Sequence, residues 1–174
     1  MTRITATMEA FPMTKVLFVC LGNICRSPTA EGVFRELVRR RGLQKAIAAD
    51  SAGTSGWHID APPDTRARAE AKRRGISIDD LRSRQVSVGD FERFDYVIAM
   101  DDANVVDLEA VCPGPFRNRI HLFTDFAPEG TAAFVPDPYY GGPDGFAQVF
   151  DLVTQCAEGL LAHITKERQR EDVR

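Results

Sequence analysis

The chain has 174 residues, 44% of them hydrophobic and 27% charged, with a formal net charge of −3 at pH 7. That is enough apolar material for one full core, and no Gly/Ser-rich linker, repeat or long charge block divides it. The slight acidity provides no basic face for nucleic acid, and no run approaches the roughly 18 apolar residues of a membrane-spanning helix.

In chain order, Met1–Thr14 has no apolar signal-peptide segment and reads as a flexible N-terminal extension, with Met8 and Met13 as alternative starts. A cytoplasmic location is expected. Lys15–Val19 is a short unbroken apolar run, the pattern of a parallel strand buried on both faces. Cys20, Leu21, Gly22, Asn23, Ile24, Cys25 and Arg26 follow as a loop, with a thiol at one end and a guanidinium at the other. A helix comes next: Ser27 reads as its N-cap, Pro28 as its first residue, and Ala30, Val33, Phe34, Leu37 and Val38 recur at helical spacing until Gly42. A loop between a buried strand and a helix N-terminus aims backbone N–H groups and the positive end of the helix dipole at one spot. Such a spot attracts an oxyanion, and phosphate is the expected occupant; it also favours a thiolate.

Further elements alternate. Strands are expected at Ala46–Ala49, Tyr96–Met100 and Ile120–Phe123, and helices at Asp64–Arg74 (stopped by Gly75), Asp102–Val111 and Phe146–Lys166. Four strands alternating with helices imply an α/β fold with a parallel sheet, right-handed crossovers and helices on both faces. Ligands bind such folds at the carboxyl ends of the strands near a switch in strand order, where the Cys20 loop lies. A single domain over residues 15–166 is expected, followed by a charged tail at 167–174.

Residues 127–143 contain Pro128, Pro136, Pro138 and Pro143 and show no periodicity, which points to a functional loop. Asp137 sits between two of these prolines, which restrict the backbone around its carboxylate. By itself such an Asp is more often a turn residue. Four cysteines without a secretion signal read as reduced thiols, Cys112 and Cys156 being structural. His58, His121 and His163 are scattered, so neither a metal nor a cofactor is expected.

The stretch from Val19 through Cys20 and Arg26 to Glu31 closely resembles the signature of the low-molecular-weight protein tyrosine phosphatases. Later segments match as well: Asp50–Trp57, Arg84-Gln85, Phe94–Asp101 and Asp137–Gly141. A bare Cys-(five)-Arg arises often by chance; jointly with a distant Asp-Pro-Tyr-Tyr-Gly it is specific. The resemblance spans about Lys15 to Lys166. It implies a flavodoxin-like three-layer sandwich and hydrolysis of phosphotyrosine and small aryl phosphates by a cytoplasmic monomer acting on phosphotyrosine proteins, with a tyrosine kinase as a further candidate partner.

The resemblance also assigns roles. Cys20 would be the nucleophile, Arg26 the phosphate clamp and Asp137 the general acid and base, with the loop from Leu21 to Ser27 binding phosphate. Asn23, Ser27 and Ser51 would support the loop, while Trp57, Tyr139 and Tyr140 would wall the substrate pocket. Each has a plainer reading: a turn residue for Asn23 and Ser51, a helix cap for Ser27, core for Trp57, and a loop anchor for the tyrosines. Cys25 reads either as a small buried hydrophobe or as a redox partner for Cys20. The chain departs from the family just before Arg84-Gln85, where many members carry a loop-bracing His. That brace is missing or replaced near Leu81. A thioredoxin-linked arsenate reductase would need further relay cysteines, and Asp79–Asp90 has none; a non-catalytic phosphate-binding module would be expected to lack Cys20 or Asp137.

Overall fold

A parallel sheet in the order β2-β1-β3-β4 forms the centre of the protein, and the structure, a computed structural model, describes residues 12–174. β1 (Thr14–Cys20) pairs with β2 (Ile47–Gly53) on one side and with β3 (Tyr96–Ala99) on the other; β4 (Ile120–Leu122) pairs with β3. The strand order therefore reverses at β1, and the crevice beyond its carboxyl end opens next to Cys20.

Alternation along β1 assigns its side chains to two cores. Val16, Phe18 and Cys20 face one cluster with α1 (Arg26–Arg40), α2 (Thr65–Arg73) and α5 (Gly145–Asp172). Leu17 and Val19 face the other, which contains Phe91 of α3 (Asp90–Arg93) and Leu108 of α4 (Asp102–Val111). Both faces of the sheet are covered, as the unbroken apolar run of β1 requires. Phe18 packs edge-on to Phe34 with ring centroids 5.4 Å apart, and tilted against Phe123 at 5.2 Å. The expected α/β fold is present.

Several boundaries differ from expectation. β2 runs four residues past Ala49, because Asp50, Ser51, Ala52 and Gly53 continue in register with β1 despite the polarity of Asp50 and Ser51. The final helix continues past Lys166 to Asp172, and Arg168 Nη1 on its last turns donates to Pro12 O and to Thr14 Oγ1, each at 2.9 Å. Residues 1–11 of the expected extension, and the alternative start at Met8, lie outside the described residues. Helix α1 starts at Arg26 with Cys25 at its N-cap and no side-chain cap, so Ser27 is not the cap. Its hydroxyl is engaged elsewhere.

Candidate active site

The loop after β1 curls tightly because Asn23 adopts left-handed backbone angles, with φ 54°. Asn suits that region better than most side chains. The tip of β2 presses directly on the loop. A Cβ at Gly53 would lie 2.8 Å from Leu21 O, so glycine is required for the approach, and Thr54 N donates to Cys20 O at 2.9 Å. From the other side, Asp64 N donates to Ile24 O at 2.8 Å and Ser83 Oγ to Gly22 O at 3.1 Å.

Cys20 Sγ accepts the Asn23 N–H at 3.3 Å and lies 3.0 Å from Ser27 Oγ. Asn23 Nδ2 donates to Ser27 Oγ at 2.8 Å and to Ser51 Oγ at 3.0 Å, while its Oδ1 accepts from Arg84 N at 3.0 Å. Ser51 Oγ in turn donates to Glu31 Oε1 at 2.7 Å. The three expected support residues thus form one buried array behind the thiol. Ser83 and the Arg84 backbone provide loop contacts in the segment where the family's His is absent.

Arg26 is 3% exposed and is aimed by two acceptors. Its Nη1 donates to Asp101 Oδ2 at 2.5 Å and to Val135 O at 3.1 Å. Its Nη2 stands 3.7 Å from Asp137 Oδ2. Asp137 is fixed in turn, since its Oδ1 accepts from Tyr139 N at 3.0 Å, and Pro138 beside it is buried. Arg66 holds the same loop by donating to Tyr139 O at 3.1 Å, its guanidinium lying over the Tyr139 and Phe146 rings.

Cys20 and Arg26, six positions apart, therefore meet Asp137, more than a hundred positions further along the chain, at one cleft of about 240 Å³. Leu21, Gly22, Ile24 and Cys25 line its floor, and Trp57, His58, Tyr139 and Tyr140 its walls. Trp57 is 74% exposed, so it belongs to the rim and not to the core. Tyr139 and Tyr140 meet edge-on with centroids 4.8 Å apart. Asn23, Ser27 and Ser51 lie behind this lining. Sequence reasoning missed His58, Asp101, Ser83 and Glu31 as parts of the site, although Asp101 and Glu31 lay within quoted segments.

Burial pushes the Cys25 thiol well above its usual range and that of Cys156 up to about 12, so both favour the neutral form. All four cysteines are free thiols. Among the described residues no cluster of three or more His, Cys, Asp or Glu is placed to hold a metal, and no helix is long and apolar enough to cross a membrane.

The profile of a family described as low molecular weight phosphotyrosine protein phosphatase matches residues 15–170. The chain belongs to the low-molecular-weight protein tyrosine phosphatase family. It is 47% identical to the Bacillus subtilis low molecular weight protein-tyrosine-phosphatase YfkJ, over 90% of this chain and 99% of that one. The fold superposes on a protein tyrosine phosphatase of Entamoeba histolytica with TM-score 0.86 and 40% identity, covering 89% and 99% of the two chains. It also resembles DARP, a Drosophila arginine phosphatase, with TM-score 0.81 and 34% identity over 87% and 98%. The protein is a cysteine-based protein tyrosine phosphatase.

Proposed function

We propose that Cys20, Arg26 and Asp137 carry the hydrolysis of phosphotyrosine in this phosphatase, because one cleft presents all three to the same point. The Cys20 thiolate attacks phosphorus in line as the P–O bond to the tyrosine ring breaks. Arg26 holds two equatorial oxygens with its planar fork, which Asp101 and Val135 O keep oriented, and loop N–H groups at the uncapped start of α1 take the rest. Asp137 gives its proton to the departing phenolate oxygen. Water then attacks the phospho-cysteine, Asp137 takes its proton, and the thiolate leaves. Asp137 thus acts as acid in the first step and as base in the second.

The cleft supports an aromatic substrate. Trp57 and the Tyr139–Tyr140 pair stand on its rim, where a phenyl ring attached to a bound phosphate would lie between flat apolar surfaces. Phosphotyrosine proteins of the cytoplasm are the proposed substrates, and phosphoarginine is the comparator that the likeness to an arginine phosphatase makes worth measuring.

Asp137→Ala should lower kcat for phosphotyrosine by roughly 10²–10⁴, the usual scale of general acid catalysis. The loss should shrink for aryl phosphates whose leaving groups need no proton. An equal deficit for good and poor leaving groups would make Asp137 a loop anchor only.

Cys25 shares the curled loop with Cys20, and we assign it the capture of a Cys20 sulfenic acid as a disulfide, with water released. After mild peroxide, peptide mapping should find Cys20 joined to Cys25 and thiol reductant should restore activity. Cys20 joined to Cys112 or Cys156 would reject the assignment.

A further inference from the structure

Glu31 is a buried carboxyl that the chemistry above does not use. It is 1% exposed, on the first turns of α1, and faces away from the cleft. Its Oε1 takes the Ser51 hydroxyl proton at 2.7 Å, and its Oε2 has the Arg35 guanidinium against it as an ion pair. Ser51 Oγ, having given its proton to Glu31, is an acceptor for Asn23 Nδ2. Asn23 Nδ2 also donates to Ser27 Oγ, which leaves the single Ser27 proton for Cys20 Sγ. A backbone carbonyl, Ala52 O, is the weaker alternative at 3.5 Å.

We propose that Glu31 is a positioning residue of the phosphatase: as a carboxylate it fixes the proton direction along Ser51, Asn23 and Ser27 and so aims the Ser27 hydroxyl at the Cys20 sulfur. The inference depends on Cys20 being the nucleophile. Both hydrogen bonds on the sulfur pass through Asn23, one from its backbone N–H and one by way of Ser27. An ionised carboxylate can only accept, so Ser51 can only donate towards it. A proton added to Glu31 goes to Oε1, because Arg35 at Oε2 has no acceptor to offer. Ser51 Oγ then accepts from Glu31, and its own proton loses the one acceptor the structure gives it: it is left unpaired in a buried site or turns towards Asn23, where it meets an amide N–H. Either outcome loosens the hold on Asn23, and with it the commitment of the Ser27 proton to sulfur.

Titratable and charged groups around Glu31 come from three segments. Arg35 of α1 opposes protonation, while Asp50 of β2 and Asp80 of the loop after α2 favour it; burial, the largest influence, raises the carboxyl to about pH 7. The relay therefore reverses in the neutral range, intact above it and lost below it.

Glu31→Gln is nearly isosteric and sets its amide oxygen against Arg35, turning an N–H2 towards Ser51. At pH 8, where the wild-type Glu31 is ionised, it should lower kcat about tenfold with KM within about threefold, and slow iodoacetate alkylation of Cys20 about tenfold, the scale of one lost charge-assisted hydrogen bond. Placed on a Ser51→Ala background, the same change should add less than about twofold, since the relay is already cut. Arg35→Ala alters a half-exposed surface side chain and keeps the variant set usable should the buried substitution fail to fold. It should move the acid limb of the kcat profile upward by about half a pH unit or more, since Glu31 then holds its proton to higher pH. Wild-type alkylation in Glu31→Gln, additivity with Ser51→Ala, or an unmoved acid limb in Arg35→Ala would each overturn the proposal. Alkylation of the wild-type enzyme at a residue other than Cys20 would instead refute the nucleophile, a separate result.

Discussion

A carboxyl raised from its ordinary 4.5 to about 7 leaves a mark on stability as well as on chemistry. Glu31 binds its proton more tightly folded than unfolded, so between pH 4.5 and 7 the native state holds more protons. Stability from this group is therefore present at low pH and falls as pH rises through 7, by about 3 kcal/mol for a shift of this size. Glu31→Gln cannot titrate. Its melting temperature relative to the wild type should climb by roughly 5–10 °C between pH 5 and pH 8. Thermal scans at the two pH values check this, and a parallel shift of both proteins would contradict it. At this scale the sequence was uneven in what it disclosed. Cys20 and Arg26 were legible because a strand, a tight loop and a helix start stand consecutively in the chain. Asp137 became legible through its flanking prolines and the motif it begins. Asp101 was not, because its part is to orient a guanidinium 75 positions away, and no local pattern encodes such a contact. Ser83 and Glu31 escaped for the same reason.

Among the elements, α5 shows how a glycine can specify packing. Gly159 lies inside the helix, where glycine ordinarily costs about 1 kcal/mol relative to alanine. Here a Cβ would come within 1.7 Å of Phe126 O, in the short 3₁₀ turn (Phe123–Phe126) that follows β4. The helix backbone packs directly on that turn. Gly159→Ala should therefore destabilise the protein by about 1–3 kcal/mol or more, as overpacking does, with the shift read from the urea midpoint. Stabilisation by the amount helix propensity alone would give is the contrary result. Element types followed from periodicity, and α4 has the bounds expected of it. Where boundaries moved, tertiary contacts decided: β2 lengthened because β1 offered partners for Asp50 to Gly53, and the end of α5 was kept helical past its last apolar turn, with Arg168 tied to the start of β1. The four-residue α3 was invisible to periodicity because it is one turn long. Its last carbonyls are satisfied by Arg119, whose Nη1 reaches Phe91 O, Glu92 O and Phe94 O at 3.1, 2.9 and 3.0 Å.

For the whole molecule, one feature of topology places the chemistry. The sheet reverses order at β1, its carboxyl end delivers Cys20 to the resulting crevice, and α1 begins there with its amide groups free of any side-chain cap. The acid comes from a distant, proline-restrained loop, which Arg26, Arg66 and the contact of Val135 N with Met100 O at 2.8 Å hold over the carboxyl end of the sheet. Alternating strands and helices made that architecture readable in advance; the side chains that lock loop to loop were not, since they act between segments that periodicity treats separately. What matters most is whether phosphate passes through the Cys20 sulfur. Rapid acid quench of the enzyme with radiolabelled phosphotyrosine, followed by peptide mapping, should recover the label on Cys20 in the wild type, and in greater amount in Asp137→Ala when a leaving group that needs no proton is used. Label on any other residue, or normal turnover by Cys20→Ser, would contradict it.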